Sequence, residues 1–340
     1  MADLDVFSGD AFSAVELTDA LEEVPYQPQY LGSLNLFAPR PVRTTTIAIE
    51  KRENTLALVQ TTPRGAPLPQ AGQSARTMRD FRTVRVAKGD RLTAGELQNV
   101  RAFGTNTELE QVQVETLNRM TALRNDLELT HENLRLGAVQ GILLDADGSE
   151  IINWFDEWGV NQAAEIDFDL DNASPAAGAV LTLCHQVRRT MQRQAKGVWT
   201  TGTRVGALCG DTFFDQLISH SEVRATYLNW QAAADLRVNK DFAEFTFGGI
   251  TWINYRGTDD NSTVAVPLTK AKFFPIGAPG AFVRANSPGE SLDFVNTPGR
   301  EFYPMIVPDR DRNMWVDVEV YSYVLYICTR PAMLLRAKNT

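Results

Sequence analysis

The residues of this 340-residue chain whose types could do chemistry are few: three histidines, three cysteines and a short run of alternating aspartates. His131-Glu132 opens like the helix of a zinc protease, where a second histidine four residues on must share the metal. Arg135 stands at that place, and the other histidines, His185 and His220, are far off in sequence. Cys184-His185 has the types of a thiolate–imidazole pair, yet consecutive helix positions do not face each other. Asp167, Asp169 and Asp171 resemble the start of a calcium loop. Asn172 then replaces the turn glycine, and Gly178 stands where the bidentate glutamate belongs. A half-exposed strand with one carboxylate face accounts for them better. No phosphate-binding loop, Gly-x-Ser-x-Gly elbow or dinucleotide fingerprint occurs. No catalytic residue, cofactor or metal site is expected. Cys184, Cys209 and Cys328 lie in apolar surroundings outside any Cys-x-x-Cys pair, so they read as buried thiols of a reducing compartment.

The remaining chemistry is charge. Arg76, Arg79, Arg82, Arg85, Lys88 and Arg91 recur at a step of three. In a strand this step sends cations to both faces, so such a ribbon should not be half-buried in the usual way. It should project from the body or lie between molecules. An isolated two-stranded ribbon is marginal alone and needs a neighbour. Residues 40–101 carry twelve bases and five acids, whereas 1–39 carry seven acids and no base, and 102–175 carry fifteen acids and three bases. Such asymmetry invites pairing of a basic segment with an acidic one on another molecule. The overall charge of −9 argues against an open nucleic-acid binder. Tryptophans and other aromatics are not interleaved with the arginines, which also counts against base stacking.

The elements that must carry these charges are legible in part. At 44% apolar and 22% charged, the chain is globular in composition and long enough for two domains or one elaborate one. No apolar run reaches membrane-spanning length, and the acidic start lacks the features of a signal peptide. Residues 1–45, broken by four prolines, read as an extended arm, with a short helix near Ser13. Thr46–Ile49 reads as a strand turning at 51–54 and returning at Leu56–Val59, and 61–76 as a loop. The spacing of Leu109, Val112, Thr116, Met120, Leu123, Leu127, Thr130 and Leu134 predicts a long helix over 107–136 with one narrow apolar stripe. A Thr105/Glu108 capping box would start it, and Gly137 and Gly141 would stop it. An Asp147-Gly148 turn predicts a hairpin over 142–154. Ser174 and Pro175 predict the start of a helix that Lys196-Gly197 closes. Val205–Gly210 reads as a buried strand with Asp211 capping the next helix. Phe245–Phe247, Gly248-Gly249 and Ile250–Tyr255 read as a hairpin, and Met314–Leu335 as a long β-rich run.

This order of parts, with the phrases Ile47–Glu50 to Leu56–Val59, Pro63-Arg64-Gly65, Val86–Asp90, Ile142–Asp156, Phe247–Ile250 and Pro298–Phe302, resembles the lambda-type major capsid protein (capsid protein E) family of tailed bacteriophages. The resemblance covers essentially the whole chain. It implies an α+β fold of the Hong-Kong-97 type. It assigns 1–45 to an N-terminal arm, 46–92 to an extended loop reaching a neighbour, 93–196 with 291–340 to a peripheral domain, and 197–290 to an axial domain. It further implies a structural, non-enzymatic protein that assembles into pentamers and hexamers of an icosahedral head in the host cytoplasm. The head would enclose double-stranded DNA without sequence-specific binding and without a membrane. Only about 45 residues precede the loop, so a scaffolding protein, if used, would be separate; a portal and a decoration protein are the other expected partners. Some relatives cross-link through a loop lysine, and this loop has only Lys51 and Lys88. On this reading Arg76, Arg79, Arg82, Arg85 and Arg91 would carry an inter-subunit contact with the acidic spine region of the next subunit. The competing readings are an encapsulin-like or gene-transfer-agent shell of the same fold, a metal-dependent hydrolase using Asp167 or Asp169, and a nucleic-acid binder using the arginine run.

Overall fold

A computed structural model describes residues 30–52, 76–99, 108–172, 174–228, 244–257, 264–312 and 314–339. The short helix near Ser13, the return strand Leu56–Val59 and Thr105 of the capping box lie outside the described residues. After a helical turn, α1 (Tyr30–Ser33), come strands β1 (Ala38–Pro41), β2 (Thr46–Arg52), β3 (Arg76–Arg82) and β4 (Val84–Thr93). Helix α2 (Ala94–Asn99) precedes the spine, α3 (Glu108–Gln140). The hairpin β5 (Ile142–Leu144) and β6 (Glu150–Asn153), the turn α4 (Trp154–Glu157), the two-residue β7 (Ile166–Asp167) and α5 (Ala179–Gln194) follow. Then come β8 (Arg204–Cys209), α6 (Asp211–Ser219), α7 (Ser221–Leu228), β9 (Glu244–Phe247), β10 (Ile250–Asn254), β11 (Lys270–Ile276) and β12 (Phe282–Asn286). The chain ends through β13 (Tyr303–Pro308), β14 (Trp315–Cys328) and β15 (Leu335–Lys338).

Two sheets organise these elements. In the first, β14 is central: β4 lines one edge along ten residues, and β13 and β12 share the other. β1 extends this sheet, parallel to β12. The burial of β14 explains its length. Val316, Val318 and Val320 alternate inward, and Val318 and Val320 pack with the spine residues Met120, Leu123 and Leu127. From Tyr323 to Cys328 every residue is buried, as in a strand covered on both faces. The second sheet runs β7-β15-β11-β8-β10-β9. Helices α5 and α6 cover one face through Val180, Val187, Met191, Phe213 and Leu217. On the other face Leu208, Ile253 and Phe274 join Trp154, Phe155 and Tyr326, so a single core runs between the sheets. Membership does not follow chain order. β12 lies within 197–290 but pairs in the first sheet, whereas β7, α5 and β15 lie outside that stretch and belong to the second.

Several expectations need correction. Strand β2 runs on through Lys51 and Arg52, where a turn was expected, and pairs with the basic segment 76–82. The spine passes through Gly137 and stops at Gly141, whose φ is +89°. Gly137 is required within the helix because β5 passes close by: a Cβ there would lie 2.8 Å from the Ile142 carbonyl. Helix α5 starts at Ala179 behind Gly178, four residues after the expected Pro175. The Glu222 carboxylate, reaching over from α7, accepts from the Val180 and Leu181 amides at 3.1 Å and so does the capping that Ser174 was expected to do. Gly210 is the cap of α6, and Asp211 is its first helical residue. Only Ile166 and Asp167 of the alternating acidic run pair as strand. Phe168 and Leu170 still alternate inward against exposed Asp167, Asp169 and Asp171. The 142–154 hairpin and the hairpin on Gly248-Gly249 form as the sequence predicts.

Candidate assembly surfaces and the cluster beneath them

The basic run divides at Thr83. Arg76, Arg79 and Arg82 lie on β3 in a two-stranded ribbon, and Arg85, Lys88 and Arg91 lie on β4 in the first sheet. The ribbon is half-buried after all near its base. Ile47, Ile49 and Phe81 point inward, and the Phe81 ring meets Trp154 and Trp158 edge-on at 5.2 and 5.8 Å. The step of three allows this because Phe81 fills an inward slot between Arg79 and Arg82. Arg79 shares the inward face but reaches past the aromatic floor to Glu157 at 2.9 Å. On the outward face Met78 is 68% exposed, and Asp80 and Arg82 are exposed beside it. At the end away from the sheet, the register sets Arg52 directly opposite Arg76.

The β4 cations are engaged within the chain. Arg85 lies 3.4 Å from Glu290 and over the Tyr321 ring. Lys88 pairs with Asp126 of the spine at 2.6 Å. Arg91 forks onto Asp317 at 2.7 and 3.0 Å and stacks on Trp315. Arg119 of the spine answers from the other side, to Asp90, Glu96 and Glu115. Of the β4 cations, Lys88 thus meets the acidic spine inside its own subunit, and Arg85 and Arg91 meet acids of other elements.

Beneath the ribbon lies a charged cluster that the sequence reading did not anticipate. From Leu127 onward the spine is buried on several sides, and Glu128, His131, Glu132 and Arg135 are buried with it. Glu132 uses both carboxylate oxygens twice. Oε1 accepts from the Leu31 amide at 2.8 Å and the Tyr255 hydroxyl at 3.0 Å. Oε2 accepts from the Gly32 amide at 3.2 Å and Arg135 at 3.3 Å. Arg135 also reaches Glu128 at 3.4 Å and lies over the Tyr326 ring. His131 stacks on Phe302 and meets the Tyr326 hydroxyl at 3.2 Å. Burial raises the Glu132 pKa above the ordinary carboxylate value against the pull of Arg135 and the amides. Burial, with Arg135 and Arg284 nearby, holds His131 well below the usual imidazole value. The zinc-protease-like spacing is thus occupied by an ionic clamp on the segment entering β1. The available signal was the 128/132/135 stripe, which places three charges on one helical face beside apolar Leu127 and Leu134.

The remaining chemical candidates are packed or paired. Cys184 is buried beneath Gly248, and burial raises its thiol pKa to about 12. Cys328 is raised likewise to about 12, and Cys209 upward as well. Asp167 pairs with Lys338 at 3.3 Å, and Asp169 accepts from Asn172 at 2.8 Å. Among the described residues no group of three or more histidine, cysteine or acidic side chains could hold a metal, and no helix is long and apolar enough to cross a membrane.

Two sheets around one buried spine, an arm segment clamped to that spine and a cationic ribbon leaving the body define the Hong-Kong-97 class of shell-forming proteins. Its fold matches, over 96% of this chain, a prophage protein of E. coli CFT073 described as its capsid protein, with a TM-score of 0.60 at 12% identity over 99% of that chain. The capsid structure of cyanophage P-SCSP1u matches over 93% of this chain and 90% of its own, with a TM-score of 0.52 at 10% identity. By sequence, the major capsid protein of Salmonella phage Felix O1 is 26% identical over 95% of both chains. That of Pseudomonas phage KPP10 is 24% identical over 96% of this chain and 97% of its own. The family model for phage major capsid protein E matches residues 13–339. The chain belongs to this family and is a structural major capsid protein of the phage head.

Proposed function

We propose that the chain assembles into pentamers and hexamers that close an icosahedral head around double-stranded DNA, with no enzymatic role. The first sheet with the spine forms the peripheral domain; the second sheet with α5, α6 and α7 forms the axial domain. This division keeps the expected cores of both domains. It moves β12 to the peripheral side and β7, α5 and β15 to the axial side, because strand pairing and not chain order sets the boundary. The arm and ribbon, expected at 1–45 and 46–92, reach between subunits, with β4 serving as the ribbon's anchor.

The observation that carries the ribbon's role is its outward face, on which Met78 is 68% exposed beside exposed Asp80 and Arg82. An apolar side chain next to a cation suits burial against an acidic surface of the next subunit. The expected inter-subunit contact of Arg76, Arg79, Arg82, Arg85 and Arg91 thereby centres on Arg76 and Arg82, while Arg79, Arg85 and Arg91 hold the ribbon to its own subunit. Many weak copies of one contact make a strong shell. The head assembles in the host cytoplasm; a portal, a decoration protein and, if one is used, a scaffolding protein are its candidate partners.

Negative-stain electron microscopy of the purified protein across a salt series tests this. Closed shells or capsomer rings are expected, and Arg76→Glu/Arg82→Glu should lower their salt resistance. Monomer at every salt, even with co-expressed scaffolding protein, would refute the assembly reading. Unchanged salt resistance of the variant would refute the ribbon contact alone.

A further inference from the structure

Among the described residues, helix α5 carries a patch of exposed cations without acidic partners. Helix α5 has sixteen residues and no acid. Its inner face, Val180, Cys184, Val187 and Met191, is buried on the second sheet. Its outer face presents exposed Arg189 and Arg193, continued by exposed Lys196. Arg189 and Arg193 lie one turn apart, about 6 Å along this face, and Lys196 follows beyond the helix end. Among the described residues none of the three is ion-paired. Arg193, in the last turn, answers the negative end of the helix dipole, whereas Arg189 stands a turn further back.

The same chain carries a complement. The tip of the β5–β6 hairpin exposes Asp145, Asp147 and Glu150 with no base among residues 144–150. Asp145 and Asp147 each commit Oδ1 to their own turn, accepting from the Ala146 amide at 2.7 Å and the Ser149 amide at 2.8 Å. Asp145 keeps its second oxygen for a guanidinium, Asp147 also takes the Ser149 hydroxyl, and the turn fixes where both carboxylates point. The tip is compact, since hairpin legs lie only about 5 Å apart, so its carboxylates match two arginines about 6 Å apart.

We propose that the acidic β5–β6 tip of one subunit docks on the basic outer face of α5 of the next, as a head-to-tail contact within the capsomer ring. Two different patches on one chain that complement each other make a heterologous interface, the kind that closes rings. A second copy fits better than packaged DNA because its carboxylates are preset by the turn. This inference rests on the assembly reading, and the wild-type protein run in parallel tests that reading separately.

The test is a charge swap. Arg189→Glu/Arg193→Glu and, separately, Asp145→Lys/Asp147→Lys should each abolish rings and shells that the wild type forms under the same conditions. All four changes in one chain should restore them. Melting curves confirm folding, and Arg189→Gln/Arg193→Gln replaces the reversal if that variant does not fold. Three outcomes would overturn the proposal: full assembly by either reversed variant, no rescue by the combined one, or normal shells of the α5 variant that package less DNA, which would assign the helix face to the nucleic acid.

Discussion

Glu132 is the point at which the arm, the spine and both sheets meet, so Glu132→Ala probes the fold most directly. The substitution leaves the buried Leu31 amide and the Tyr255 hydroxyl without their acceptor and leaves Arg135 with Glu128 as its nearest carboxylate partner. A buried donor stripped of its partner costs about 1–3 kcal/mol, and removing one member of a buried ion pair about 3–5 kcal/mol. These costs overlap because they concern the same oxygens, so a total of about 3–5 kcal/mol is expected and not their sum. Denaturant unfolding of the dissociated subunit, followed by tryptophan fluorescence, reads this directly. Hydrogen exchange over residues 30–42 reads the local part: loss of the clamp should speed exchange there more than in β14. Glu132→Gln should recover only a fraction of the loss, since its amide nitrogen cannot accept from Arg135 or a backbone N–H. A loss below about 1 kcal/mol for the alanine variant, or unchanged exchange in the arm segment, would refute the clamp.

Other predictions are narrower. The depressed His131 pKa means that the unfolded chain binds this proton first. The stabilisation is therefore present above the unfolded value near 6.5 and is lost as pH falls from there toward the folded value, by at most about 1.4 kcal/mol per pH unit. The raised Glu132 pKa acts in the opposite sense: its contribution is present below the ordinary carboxylate value and lost as pH rises through the folded one. His131→Phe should flatten the stability profile below pH 6.5, with Glu128, Glu132 and Arg135 left in place; an unchanged slope would show that His131 is not its source. Gly141→Ala should cost about 2 kcal/mol or more, because φ is +89° and the new Cβ would meet the Phe155 ring at 2.4 Å; thermal unfolding measures it. The three buried thiols should resist a thiol reagent in the native subunit and react fully in denaturant. Rapid native labelling would contradict their burial.

The sequence by itself determined the features that depend on neighbours in the chain. The spine follows from its 3-and-4 spacing, the Asp-Gly and Gly-Gly hairpins from turn residues that accept positive φ, and the long terminal strand from its run of β-branched and aromatic residues. The order of those elements was enough to place the chain in its capsid family. What only the tertiary structure decided are pairings between distant segments. The start of the β2 strand gives no sign that its partner lies at 76–82, since strand pairing depends on closing the intervening chain. Ser174 has the right chemistry for a cap, but a carboxylate from α7 does that work because folding brings Glu222 to the helix start. The charges of the basic run look alike in sequence. Packing alone distinguishes Lys88 and Arg91, tied to acids of their own subunit, from the exposed Arg82. Glu132 shows the same limit most clearly: one helical turn of sequence suggests a failed metal site, and only the approach of Leu31, Gly32, Tyr255 and Arg135 in space makes it the anchor of the arm.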